Sequence, residues 1–424
     1  MPKQKISSKG PGAVALACLF LALLLLLIIT LWSLARGDQH QQDFFPAPVQ
    51  VSTTLRFTAI AAGHLHSCAI GSAGDTYCWG SDRHFQLGST GPMDDCGAVR
   101  CSGTPVRVAG GHVFTQLAAG RRHSCGLTAS GAAWCWGYGR DGQLGDGRGS
   151  DSLLPVRVAG GRIFTALAAN ATSASTCGLT VSGEAWCWGG NHRGALGNGT
   201  DAGSAHVPVQ VMTRVRFIAI SISQSTGCGV STDGDAYCWG DNRYGQLGSG
   251  RAGSDGGPAI AITPTAVQGG HKFTGIATDG LHSCAVQRTG AVYCWGLHAR
   301  MSAVSTHTPR HYGVYTSLPA RVGPPGSPWV SGTGGPWTAI AVGYGQTCAL
   351  SFGGGLDCWG QLLGDPLDGP PHNAEEPVRV GGNRDFVAFA SGAGHDCAID
   401  TEGNAWCWGA NNRGQSGRIS RLVW

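Results

Sequence analysis

In 424 residues the chain carries 70 glycines, 17 cysteines and charged side chains at only 13% of positions, with a formal net charge of +4. That composition excludes a disordered polyelectrolyte. Without a dense Lys/Arg run beyond the N-terminus, nucleic acid has only weak electrostatic support as a partner and is not expected.

Residues Met1–Gly10 carry Lys3, Lys5 and Lys9 and no acid, and they precede Ala13–Trp32, an uncharged apolar run of 20 residues. Such a run crosses a bilayer as one helix, and the positive-inside rule puts the lysines in the cytoplasm and everything after Arg36 outside it. Ser33-Leu34-Ala35 supplies the small residues of a cleavage site, so a removed signal sequence is the alternative. The expected division is a basic tail (1–12), a transmembrane anchor or signal sequence (13–35), a polar tether (36–45) and a repeat region (46–424).

The repeat region opens on Pro48-Val49-Gln50-Val51, and the same Pro-Val-x-Val motif recurs at Pro105–Val108, Pro155–Val158, Pro208–Val211 and Pro377–Val380, with looser forms at Pro264–Val267 and Pro319–Val322. Proline at the start of a strand fits an edge position. After each motif come a turn, an alternating apolar run such as Val113–Ala119, and a hairpin bounded by two cysteines. The pairs are Cys68 and Cys78, Cys125 and Cys135, Cys177 and Cys187, Cys228 and Cys238, Cys284 and Cys294, Cys348 and Cys358, and Cys397 and Cys407, each with nine residues between partners.

A glycine stands four residues before every second cysteine, from Gly74 to Gly403. If it closes a three-residue hairpin loop in the left-handed conformation, Gly71 faces Asp75 and Cys68 faces Cys78 as a non-hydrogen-bonded pair about 4.5 Å apart at Cα, within disulfide reach. Alternation then sends Tyr77 and Trp79 to the opposite face, where large rings fill the space between stacked sheets. Asp357 is the one exception to Tyr or Trp at the first of these positions. Each unit supplies four short strands, too small a sheet to bury both faces alone, and such sheets stack radially. The expectation is all-β: a seven-bladed β-propeller with four-stranded blades, preceded by one N-terminal transmembrane helix. The last copy ends without a Pro-Val-x-Val motif, so the N-terminal strand at Pro48–Val51, rather than Ile419–Val423, is expected to close the ring.

The pattern A-G-x-x-H-S-C-A-[LI], then G-x-x-[YW]-C-W-G-x-N-x-x-G-Q-L-G, resembles the repeat of the regulator of chromosome condensation family over about residues 46–418. The resemblance implies seven blades. Its eukaryotic namesake is a nucleotide-exchange factor for a nuclear GTPase, but it works in a reducing compartment, whereas paired cysteines behind an export segment imply an oxidising one. Other relatives use the scaffold for binding.

Cys96 and Cys101, in the loop Ser89–Thr104, are expected to form a local disulfide. His66, His123, His282 and His395 stand two residues before a cysteine, but Ser175, Thr226 and Gln346 take that place in other copies, so the position reads as a hydrogen-bonding turn residue. No metal, cofactor or catalytic constellation is expected. Binding is expected where copies differ. In Leu297–Ser317 the candidate partner-binding residues are Arg300, His307, Arg310, His311, Tyr312 and Tyr315, types favoured at interface hot spots. The reading is a monomeric, non-catalytic, extracytoplasmic protein-interaction module, membrane-tethered or secreted, whose partner is an unidentified protein or surface glycan. Carbohydrate binding and nucleotide exchange are the alternatives. Asn170 and Asn198 begin N-glycosylation patterns.

Overall fold

A computed structural model describes residues 48–96, 99–297, 315–322, 336–362 and 372–417. Among these residues no helix is long and apolar enough to cross a membrane, and the expected span at 13–35 lies outside them. Helical structure among them is limited to the 3₁₀ turns His192–Gly194 and Gly253–Asp255. Everything else regular is antiparallel sheet, in seven blades.

The hairpin chemistry sets each blade. Gly74 takes φ +89°, the Gly71 N–H donates to the Asp75 carbonyl at 2.7 Å and the Gly74 N–H to the Gly71 carbonyl at 2.8 Å, which is the left-handed-glycine loop. Cys68 consequently faces Cys78. The same register sets Cys228 opposite Cys238 and Cys348 opposite Cys358. Every one of the seven expected pairs is a disulfide, with Cα separations of 4.0–4.1 Å, slightly under the spacing expected from ideal pairing. Cys96 and Cys101 are also bonded.

In the first blade the strands run Phe57–Ala62, His66–Gly71, Thr76–Ser81 and Arg100–Arg107 from axis to rim, and Asp94–Asp95 adds a fifth at the edge. The blade is thus one strand out of phase with the sequence repeat, because a Pro-Val-x-Val strand is the rim of the preceding blade. That offset closes the ring: Val49–Gln50 pairs with Ala405–Gly409 as the rim strand of the seventh blade, and the buried Val51 donates its N–H to the Ala405 carbonyl at 2.9 Å. Except at Pro48, which directly precedes Val49–Gln50, the proline is not at the strand start as expected. Pro105, Pro155, Pro208, Pro264, Pro319 and Pro377 lie inside their rim strands, where the pairing register slips. A bulge in an edge strand is the other place where a missing N–H costs no ladder bond.

Neighbouring blades meet disulfide to indole. The face of Cys68 and Cys78 packs against Trp136 of the second blade, Cys125 and Cys135 against Trp188, Cys177 and Cys187 against Trp239, and Cys228 and Cys238 against Trp295. The last pair, Cys397 and Cys407, meets Trp79 of the first blade. An indole burying ~150–250 Å² at ~25 cal/mol/Å² contributes about 4–6 kcal/mol per junction before the entropy of ordering is subtracted. The inner strands of all seven blades surround an axial cavity of about 330 Å³, lined by Ile60, Gln116, Leu167, Ile220, Ile276, Ile340 and Phe389 among others.

Candidate functional site

The residues that recur from copy to copy hold one blade to the next. In the Gly-Gln-Leu-Gly turn, the Gln86 carbonyl accepts from the Trp136 Nε1–H at 3.0 Å and the Ser124 hydroxyl at 2.9 Å, both in the following blade. Gln143 does the same for Trp188 and Thr176, Gln246 for Trp295 and Ser283, and Gln415 for Trp79 and Ser67. Sequence reading recognised the turn and the indole but not that they face each other.

The histidines before the cysteines extend this chain. His66 Nε2 lies 2.9 Å from Ser124 Oγ, His123 Nε2 2.8 Å from Thr176 Oγ1, His282 Nε2 2.9 Å from Thr347 Oγ1 and His395 Nε2 2.8 Å from Ser67 Oγ. Where the hydroxyl donates onward to a glutamine carbonyl, the imidazole Nε2–H must donate to the hydroxyl, which sets the tautomer of His66, His123 and His395. Burial keeps these rings neutral, pushing His66 and His395 down to about 3 and His123 to about 4. They are buried strand residues rather than turn residues. In the sixth blade Gln346 replaces histidine, and in the seventh Asp396 replaces serine: Gln346 Nε2 lies 2.6 Å from both carboxylate oxygens. Burial pushes that carboxyl up to about 7 against the pull of the Gln346 amide.

In the fifth blade Asp279 Oδ1 lies 3.2 Å from His282 Nδ1 without a hydrogen bond at that nitrogen, while His282 Nε2 meets Thr347, setting the three residues in an Asp-His-Thr series. The order imitates a hydrolytic triad. Thr347 is 2% exposed and its hydroxyl also lies against the Cys284 sulfur at 3.6 Å, so no substrate reaches it, and the series joins blades as its counterparts do. Among the described residues no group of three or more His, Cys, Asp or Glu is placed to hold a metal.

Asp357, the exception to the aromatic rule, is matched by a second exception. The inner strand of that blade begins with Trp337 where others have Phe57, Phe114 or Phe164, and the Trp337 Nε1–H donates to Asp357 Oδ2 at 2.8 Å. The indole thus satisfies the carboxylate that displaced the ring, and Trp337 is core.

Of the candidate partner-binding residues, Arg300, His307, Arg310, His311 and Tyr312 lie outside the described residues. Tyr315 begins the rim strand of the fifth blade, and its hydroxyl donates to Asp255 Oδ1 at 2.5 Å, which ties two blades together. Asn170 donates its Nδ2–H to the Val342 carbonyl at 2.9 Å, between the third and sixth blades.

Residues 73–127, 130–174, 182–229 and 233–286, and separately 114–143, 217–246 and 386–415, match profiles of the regulator of chromosome condensation (RCC1) repeat. The chain is 32% identical over 241 residues to the ultraviolet-B receptor UVR8 of Arabidopsis thaliana, covering 56% of this chain and 52% of the receptor. It is 31% identical over 248 residues to the human E3 ubiquitin-protein ligase HERC2, covering 57% of this chain and 5% of the ligase. The match thus spans about half of the one relative and a small part of the other. Among solved structures, yeast RCC1 (Prp20) bound to Kap60 superposes with a TM-score of 0.65 at 19% identity, covering 83% of this chain and 80% of that one, a likeness of fold.

Proposed function

The chain belongs to the regulator of chromosome condensation repeat family, and from that premise we propose that it is a non-catalytic scaffold that binds another protein outside the cytoplasm. One observation carries the reading: the indoles, histidines, hydroxyls and glutamine carbonyls that repeat from copy to copy are engaged in blade-to-blade bonds. Variation inside the strands, as at Gln346 with Asp396 and Trp337 with Asp357, is matched in pairs, and loops are free to differ without disturbing the core. Protein binding also accords with the yeast relative, solved in complex with Kap60. Disulfides in every blade support an oxidising compartment, and the apolar run at 13–35 would tether the propeller to the membrane or export it. Carbohydrate binding is less well supported, because Trp79, Trp136, Trp188, Trp239 and Trp295 are fully buried and Trp186 and Trp406 are capped by Arg162 and Arg384.

The test is in situ cross-linking in the native host, followed by non-reducing mass spectrometry that maps the N-terminus, the cysteine links and the cross-linked partners together. Oxidised hairpin cysteines and a cross-linked extracytoplasmic protein are expected. Free thiols throughout, or no protein partner, would refute the proposal.

A further inference from the structure

Resting on the protein-binding reading, a stretch of one face breaks the repeat in ways the scaffold does not need. In the turn after the third strand, Gly142, Gly194, Gly245 and Gly414 take φ from +75° to +83°. The first blade puts Phe85 there instead, at φ +65°, a conformation that a bulky side chain adopts only under strain. Phe85 is only half-buried and belongs to no core cluster, so core packing does not explain it. Strain kept at a surface aromatic marks a functional position.

The Arg100 guanidinium lies 5.9 Å from the Phe85 ring, and the residues around this turn are cationic and aromatic. The His84 ring meets the Tyr138 ring edge-on at 5.1 Å across the junction of blades one and two, and the Arg122 guanidinium lies 5.7 Å from the same ring. In the turn from inner to second strand, the second blade carries exposed Arg121 and Arg122, where other copies carry Ser173-Ala174, Gly280-Leu281 and Ala393-Gly394. Arg83, Arg121 and Arg122 have no carboxylate partner among the described residues, whereas Arg100 and Arg140 lie beside Asp82 and Asp151. The convergence of positive charge is felt locally: with burial, Arg121 and Arg122 push the His64 imidazole down.

We propose that the junction of blades one and two on this face binds an acidic polypeptide segment, with Phe85 as its apolar anchor and Arg83, Arg121 and Arg122 as clamps for carboxylates. Arginine binds carboxylates bidentately, and aromatic residues beside arginine make interface hot spots. Asp151, 4.0 Å from the His84 imidazole, interrupts the patch, which disfavours the unbroken phosphate track of a nucleic acid.

The experiment titrates the full-length chain with a fluorescein-labelled Asp/Glu-rich peptide containing leucine, its Asn/Gln counterpart, and a single-stranded oligonucleotide. The acidic peptide is expected to bind in preference to the other two and to weaken with salt. The double variant R121A/R122A and Phe85→Gly should each weaken it about tenfold or more, Arg251→Ala on a remote blade should not, and Phe85→Gly should hold or raise the unfolding midpoint because glycine suits a positive φ. No preference for the acidic peptide, or unchanged binding in R121A/R122A, overturns the assignment, and tighter arginine-dependent binding of the oligonucleotide gives the surface to nucleic acid instead. Cross-linking in the host separates the two levels: partners retained by R121A/R122A refute this surface alone, while no partner for the unaltered chain refutes the scaffold reading.

Discussion

Asp396→Asn should stabilise the propeller above neutral pH and do little in acid. The carboxyl is buried and stands where other blades carry Ser67, Ser124 or Thr176, and its pKa rises to about 7. A folded-state pKa above the unfolded value means that the folded state holds the proton more tightly. The carboxyl's contribution is therefore complete below the ordinary value of 3.8, falls as pH rises toward about 7, and is flat beyond. At about 1.4 kcal/mol per unit, the loss reaches on the order of 4 kcal/mol. Asparagine keeps an acceptor for the Gln346 amide and never ionises. The assay is denaturant unfolding of both proteins from pH 4 to pH 8, read as the difference between them, because the buried histidines tilt the absolute curve the other way. A difference that widens between about pH 4 and 7 and then levels off is expected, and a difference independent of pH would refute the reasoning.

The histidines carry the opposite sign. His66, His395 and His123, at about 3, 3 and 4 when folded against 6.5, stabilise fully above pH 6.5 and lose that contribution as acid approaches their folded values, so the chain should unfold in acid and His66→Gln should unfold at lower pH. Trp337→Phe leaves the buried Asp357 without its indole donor and should cost about 1–3 kcal/mol, while adding Asp357→Tyr should recover most of the loss in a double-mutant cycle read by thermal melting. Replacing Cys284 and Cys294 with serine frees an ~11-residue loop and should cost about 3 kcal/mol by the chain-entropy model, measured by denaturant midpoint. Deleting residues 48–51 removes the rim strand of the seventh blade; a large drop in melting temperature is expected, and an unchanged one would contradict closure by the N-terminal strand.

Legibility followed the range of the interactions. The pairing of Cys68 with Cys78, the left-handed Gly74 and the burial of Trp79 were readable because a hairpin fixes its register within its own few residues, and seven repetitions made the blade count plain. Ring closure by Val49–Gln50 was readable from a missing motif. The strand offset between repeat and blade, the proline bulges, the relay from His66 through Ser124 to Gln86, and the paired exceptions Trp337 with Asp357 and Gln346 with Asp396 were not. Most of these contacts join residues from adjacent blades about one repeat apart in sequence, and periodicity gives that separation without saying which side chains the stacked sheets bring face to face. His84 beside Tyr138, with Arg122 over the same ring, belongs to the same class. Local backbone preference wrote the blade into the sequence; the packing of one blade on the next decided which departures from the repeat are matched inside the core and which are left on the surface.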